Sequence, residues 1–132
     1  INSLDDLKTT DGVVAVCKED VPCGTLAHQE LKKHDITLKN ATTESKVTDV
    51  ATKVTTGNAD AGFIYTTDLA AAKKKGSNLG SIELTDVERN EYPAALSKTG
   101  SSSETAKKFN EWLKNSDEAK KILTEYGFST AK

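Results

Sequence analysis

Along the first ninety or so residues, short apolar runs of strand length alternate with longer segments of helical periodicity, and this alternation restricts the fold more than any other feature. "GVVAVC", residues 12–17, is a continuous apolar run that reads as a buried strand. "PCGTLAHQELKKHD" follows, with Pro22 fitting the first helical position and a polar end. "DITLK" is a further short strand candidate. In "SKVTDVATKVTTGN", Val47, Val50, Ala51 and Val54 fall at i, i+3, i+4 and i+7, with Ser45 as the expected N-cap and Gly57 as the stop. "ADAGFIY" then reads as a strand, "TDLAAAKKKG" as a helix ended by Gly76, and "LGSIELT" and "EYPAALSK" as further strands. The pattern predicts an α/β fold with a largely parallel sheet flanked by helices.

The tail has a different character. "SETAKKFNEWLKN" puts Ala106, Phe109, Trp112 and Leu113 on one helical face, and "SDEAKKILTEYGF" does the same with Ala119, Ile122, Leu123 and Tyr126. The polar turn "NSD" between them supplies candidate caps in Asn115, Ser116 and Asp117. These apolar faces carry the single Trp of the chain, more aromatic surface than a short tail needs if it packs only on itself.

Composition removes several classes of function. The formal net charge of −2, with cations spread along 132 residues, leaves no basic footprint for nucleic acid. The densest basic cluster, Lys73 to Lys75, reads as the solvated last turn of a helix, where cations suit the negative dipole end. No apolar run approaches the ~18 residues of a membrane helix. The chain opens on "INSLDDLK" with neither methionine nor a signal-like segment, and is expected to be a processed or cut product.

Catalytic anchors are missing as well. His28 and His34 are six positions apart on one helix, hence on different faces and unable to share a metal as i, i+4 ligands would. No phosphate-cradling loop or nucleophile elbow occurs, and the carboxylates are scattered. The chain is therefore expected to be no enzyme, with no cofactor and no metal. Cys17 and Cys23 lie at C-x5-C spacing, wrong for a C-x-x-C redox pair and too few for structural zinc. A disulfide is the economical reading and would imply an oxidising compartment; two buried thiols in a cytosolic protein are the alternative.

Pro22 at the first helical position would leave the N–H groups of Cys23, Gly24 and Thr25 unpaired at the positive end of a helix. Lys46, Val47 and Thr48 would stand the same way at the start of the next. On one edge of a parallel sheet, two such ends could serve one anion.

"VAVCKEDVPCGTLAHQEL", "ESKVTDVATKVTTGNADAGFIYTTDLAAA", "EYPAAL" and "AKKFNEWLKNSDEAKKILTEYGF" resemble, in that order, the later half of the molybdate-binding proteins of ABC importers, with the type II periplasmic-binding-protein fold. The resemblance covers nearly the whole chain, and its most specific parts are V-P-C-G before a helix, the "KVT" to "GNADAGFIYTTD" block and the closing "YGF". The paired cysteines look like a variant of secreted Gram-positive members, which supports the Cys17 to Cys23 disulfide.

The resemblance implies a molybdate or tungstate ligand held between two lobes by uncharged donors. Its second-lobe contacts map to the backbone N–H of Cys23, the backbone N–H of Val47 and the hydroxyl of Tyr65. It further implies residues 1–90 as the second lobe and 91–132 as a return segment whose C-terminal helical pair completes a first lobe, the main part of which, with two serine contacts, precedes Ile1. A fragment of that kind is expected to self-associate through its Phe109 and Trp112 faces. The implied partners are a small oxyanion and a membrane permease, and the implied location is extracytoplasmic, secreted or lipid-anchored at the cell surface. Sulfate or phosphate binding, an oxyanion-sensing effector domain of a regulator, and a thiol-disulfide enzyme using the two cysteines are the alternatives.

Overall fold

The computed structural model describes residues 1–129 and divides into two compact units, Ile1–Arg89 and the residues from Asn90 onward. The first unit is α/β. Its three strands, β1 (Val14–Cys17), β2 (Ala41–Glu44) and β3 (Ala61–Gly62), form a parallel sheet in the order β2-β1-β3. Register runs from Val14 opposite Ala41 to Cys17 opposite Glu44 on one side, and from Val14 opposite Ala61 to Ala15 opposite Gly62 on the other. Helices α1 (Pro22–Lys33), α2 (Val47–Thr55) and α3 (Thr66–Lys74) follow the three strands in turn.

All four residues of β1 are buried, as the uninterrupted apolar run requires of a central parallel strand. Successive side chains point to opposite faces, and each face has its own core. Val14 packs with Leu31 of α1, Leu7 and Ile36, while Ala15 and Cys17 pack with Val50 of α2 and Ala59. The helix α2 ends where the sequence places its stop: Gly57 takes φ +72°, the Gly57 N–H donates to Val54 O at 3.2 Å and the Asn58 N–H to Lys53 O at 2.8 Å. That pair of bonds is the Schellman closure, and its left-handed residue favours glycine.

Three expectations are corrected. "DITLK" forms no strand; pairing with β1 instead takes Ala41–Glu44, a polar and half-exposed segment with no apolar run to announce it. An edge strand is chosen by its neighbour's free hydrogen-bonding groups as much as by its own side chains. "LGSIELT" and "EYPAALSK" are also without strand structure, and Ile82, Tyr92 and Leu96 stay exposed. A strand needs a paired edge, and among the described residues these segments find none. Ser45 does not cap α2: the N-cap is Lys46, in extended conformation and without a side-chain cap bond.

The second unit contains α4 (Glu104–Asn115) and α5 (Asp117–Glu125), which pack on one another. Ser103 caps α4 by accepting from the Ala106 N–H, and Ser116 caps α5 by accepting from the Glu118 and Ala119 N–H groups. Within this unit Ala119 is buried, Tyr92 meets Phe128 edge-on at 5.5 Å, and Phe109 stacks on Trp112 at 5.8 Å. Phe109 and Tyr126 keep 60% and 53% of their surfaces exposed.

Candidate functional site

Because the sheet is parallel, α1, α2 and α3 all begin at its carboxyl edge, where open α/β sheets bind ligands. The chain passes from β1 to β2 on one side and then to β3 on the other, so β1 lies at the reversal of strand order.

At the end of β1, Cys17 and Cys23 form a disulfide with their Cα atoms 5.8 Å apart. The loop under it is tightly bonded: the Lys18 N–H donates to Glu44 O at 2.8 Å, the Val21 N–H to Lys18 O at 3.2 Å, and the Thr25 hydroxyl to Glu19 O at 2.8 Å. Val21 is the N-cap and Pro22 the first helical residue. Gly24 and Thr25 both donate to Val21 O at 2.9 Å, so the expectation that their N–H groups stand open is corrected; the Cys23 N–H alone of the three has no acceptor among the described residues. Gly24 is obligatory for a steric reason. A Cβ there would lie 1.8 Å from the Lys18 carbonyl oxygen and 2.8 Å from that of Cys17, so the first turn of α1 rests directly on the end of β1.

After β2, the N–H groups of Asp49 and Val50 turn back to Lys46 O at 3.1 and 3.4 Å. Those of Val47 and Thr48 have no acceptor among the described residues, leaving two donors at the positive end of α2. After β3, Tyr65 is the N-cap of α3, and its N–H donates to Asp68 Oδ2 at 3.2 Å. Burial pushes the Asp68 carboxyl above its ordinary value, against the lowering effect of the Tyr65 and Asp68 N–H groups.

The three residues singled out as ligand contacts, Cys23, Val47 and Tyr65, thus begin or precede the three helices at one edge of one sheet. At Cys23 and Val47 the open donors are neutral backbone groups at helix starts, of the kind that suits a compact oxyanion. Among the described residues no group of three or more His, Cys, Asp or Glu side chains is placed to hold a metal ion, and no helix is long and apolar enough to cross a membrane.

Sequence reasoning passed over three features. Gly24 was visible as part of V-P-C-G, but its contact with Lys18 depends on tertiary packing. Asp68 stands three residues after Tyr65, the acidic N3 position that closes back on an N-cap N–H, a signal readable in "YTTD". The Glu44–Lys53 ion pair, at 2.9 Å, joins β2 to α2 and has no local signature.

Comparison with known proteins agrees with this architecture. The family model described as bacterial extracellular solute-binding protein matches residues 1–129. The molybdate-binding protein ModA of Mycobacterium bovis (strain ATCC BAA-935 / AF2122/97) is 33% identical over 129 residues, covering 98% of this chain and 49% of the relative. ModA of Mycobacterium tuberculosis H37Rv matches to the same extent, 33% over 129 residues. YvgL of Bacillus subtilis strain 168, provisionally named as an ABC transporter substrate-binding lipoprotein, is 30% identical over 138 residues, covering 98% of this chain and 50% of the relative. The chain spans about half the length of the curated relatives it matches. No solved structure gives a significant match. With a small parallel sheet flanked by helices and a family match along its described length, the chain belongs to the bacterial extracellular solute-binding protein family.

Proposed function

We propose that this chain is part of an extracytoplasmic receptor that delivers molybdate or tungstate to the membrane permease of an ABC importer. The observation that carries the reading is the carboxyl edge of the sheet, where the N–H groups of Cys23 and Val47, without an acceptor among the described residues, stand at two helix N-termini and Tyr65 caps a third. Names of the mycobacterial relatives support molybdate as the ligand, and the name of YvgL supports a lipid-anchored receptor of an importer. In this reading the Cys23 and Val47 amides and the Tyr65 hydroxyl donate to the oxyanion, and no cation is needed because each bond to a charged acceptor in a dry cleft is strengthened.

Residues 1–90 then act as one lobe, and residues 91–132 as a return segment contributing α4 and α5 to the other. The remaining donors would come from sequence in the half of the relatives' length that this match does not cover. A binding role without catalysis accords with a disulfide that closes the β1–α1 turn, its Cys17 fully buried and its Cys23 half-buried. Calorimetry on the full-length gene product with molybdate, tungstate, sulfate and phosphate tests the reading. Heat with molybdate or tungstate, and none with phosphate, is expected; silence with both of the first two refutes it.

A further inference from the structure

Glu44 is the only ionisable side chain on the three strands, and it is the last residue of β2, at the edge assigned to the anion. Its backbone is built into the site's support, since Glu44 O accepts the Lys18 N–H at 2.8 Å and Glu44 stands opposite Cys17 in the register. Its side chain is only 16% exposed, so water screens it poorly. A carboxylate in such a place opposes the entry of an anion through Coulomb repulsion. Lys53 of α2 reaches it at 2.9 Å, with its own side chain 34% exposed, and is the only cation the described residues bring to it. The hydrogen bond from Lys53 also holds the Glu44 carboxyl below its ordinary range.

We infer that Lys53 sets oxyanion affinity by neutralising Glu44 at the carboxyl edge of the sheet, an inference that rests on the oxyanion reading above. Lys53 is a positioning residue in this account: it touches the carboxylate and not the ligand. A structural staple between β2 and α2 would predict a different pattern, because lost packing cannot be restored by removing the second partner. Charge masking predicts that restoration.

The test is calorimetry with molybdate on the full-length gene product, wild type beside Lys53→Gln, Lys53→Arg, Glu44→Gln and the double variant, with melting curves for each. Lys53→Gln should bind roughly five- to tenfold more weakly, the scale of one unmasked charge acting on an anion in a partly screened site. Lys53→Arg keeps the cation and should keep the affinity. Glu44→Gln leaves Lys53 unopposed and should tighten binding, and the double variant should return close to wild type. Equal affinity in wild type and Lys53→Gln overturns the inference, as does a loss that persists in the double variant or a Glu44→Gln variant that binds no tighter. If wild type itself binds none of the oxyanions, the parent reading has failed and the inference falls with it.

Discussion

Replacing Gly24 with alanine should damage the molecule more than removing its disulfide. The added Cβ would sit 1.8 Å from the Lys18 carbonyl oxygen and 2.4 Å from its carbon, against an ordinary contact of 3.4–4 Å. Both partners are backbone, and the Lys18 peptide is pinned from two directions, by its N–H to Glu44 O and by its carbonyl to the Val21 N–H. No rotamer change relieves the overlap, so either α1 lifts from β1 or the loop opens. Overpacking in a well-packed core costs about 1–3 kcal/mol, and a backbone clash of this depth belongs at or beyond the upper end. That corresponds to a melting temperature lower by on the order of 10 °C.

The Cys17→Ala, Cys23→Ala double variant gives the contrast. A bridge with a sequence separation of 6 closes a small loop, for which chain entropy contributes about 2 kcal/mol. The backbone N–H of Cys23 survives the change, so affinity for molybdate should fall less than about tenfold while stability falls. In Gly24→Ala the N–H is displaced, and affinity should drop further than in the double alanine variant. Gly80→Ala, which meets nothing within 4 Å, is the control and should melt within about 0.5 kcal/mol of wild type. Thermal denaturation paired with calorimetry decides the matter. A Gly24→Ala variant that melts and binds like Gly80→Ala would refute the steric account of the V-P-C-G turn.

Two further variants probe the edge. Tyr65→Phe removes a hydroxyl but not the Tyr65 N–H that donates to Asp68, so α3 should persist by circular dichroism. Molybdate affinity should fall about tenfold or more, the contribution of a hydrogen bond to a charged acceptor. Asp68→Asn tests burial: the native carboxyl keeps its proton to higher pH than the unfolded one, since its pKa is raised from 3.8. Its contribution is therefore most favourable below the unfolded value and declines as pH rises through the folded one. Melting measured from pH 3 to 7 should show Asp68→Asn equal to wild type at the acid end and more stable at neutrality; the reverse order would contradict the sign.

The parallel core was legible because burial on both faces leaves β1 as an unbroken apolar run, and because α2 advertises itself through four apolar residues and a glycine stop. The strand β2 was not legible, since "ATTE" is polar and its place is set by the free edge of β1. The two missing strands show the converse: Ile82 and Leu96 stay exposed, and an apolar residue without a paired edge builds no strand. In the candidate site, the helix starts were readable from Pro22 at the first helical position and from the Val47 stripe, although Ser45 does not cap α2. The Gly24 contact and the Glu44–Lys53 pair were hidden, because both depend on how a helix packs back on the strand just before it.

On the proposed reading, backbone N–H groups at the carboxyl edge of the sheet hold the anion. Amide chemical shifts of the 15N-labelled full-length gene product, followed during a molybdate titration, test it most directly. The Cys23 and Val47 amides should move most and become protected from exchange, with Tyr65 next. The largest changes elsewhere, for instance along the open groove of about 190 Å³ lined by Thr52, Thr55 and Lys75 between α2 and α3, with Cys23 and Val47 unmoved, would contradict the account.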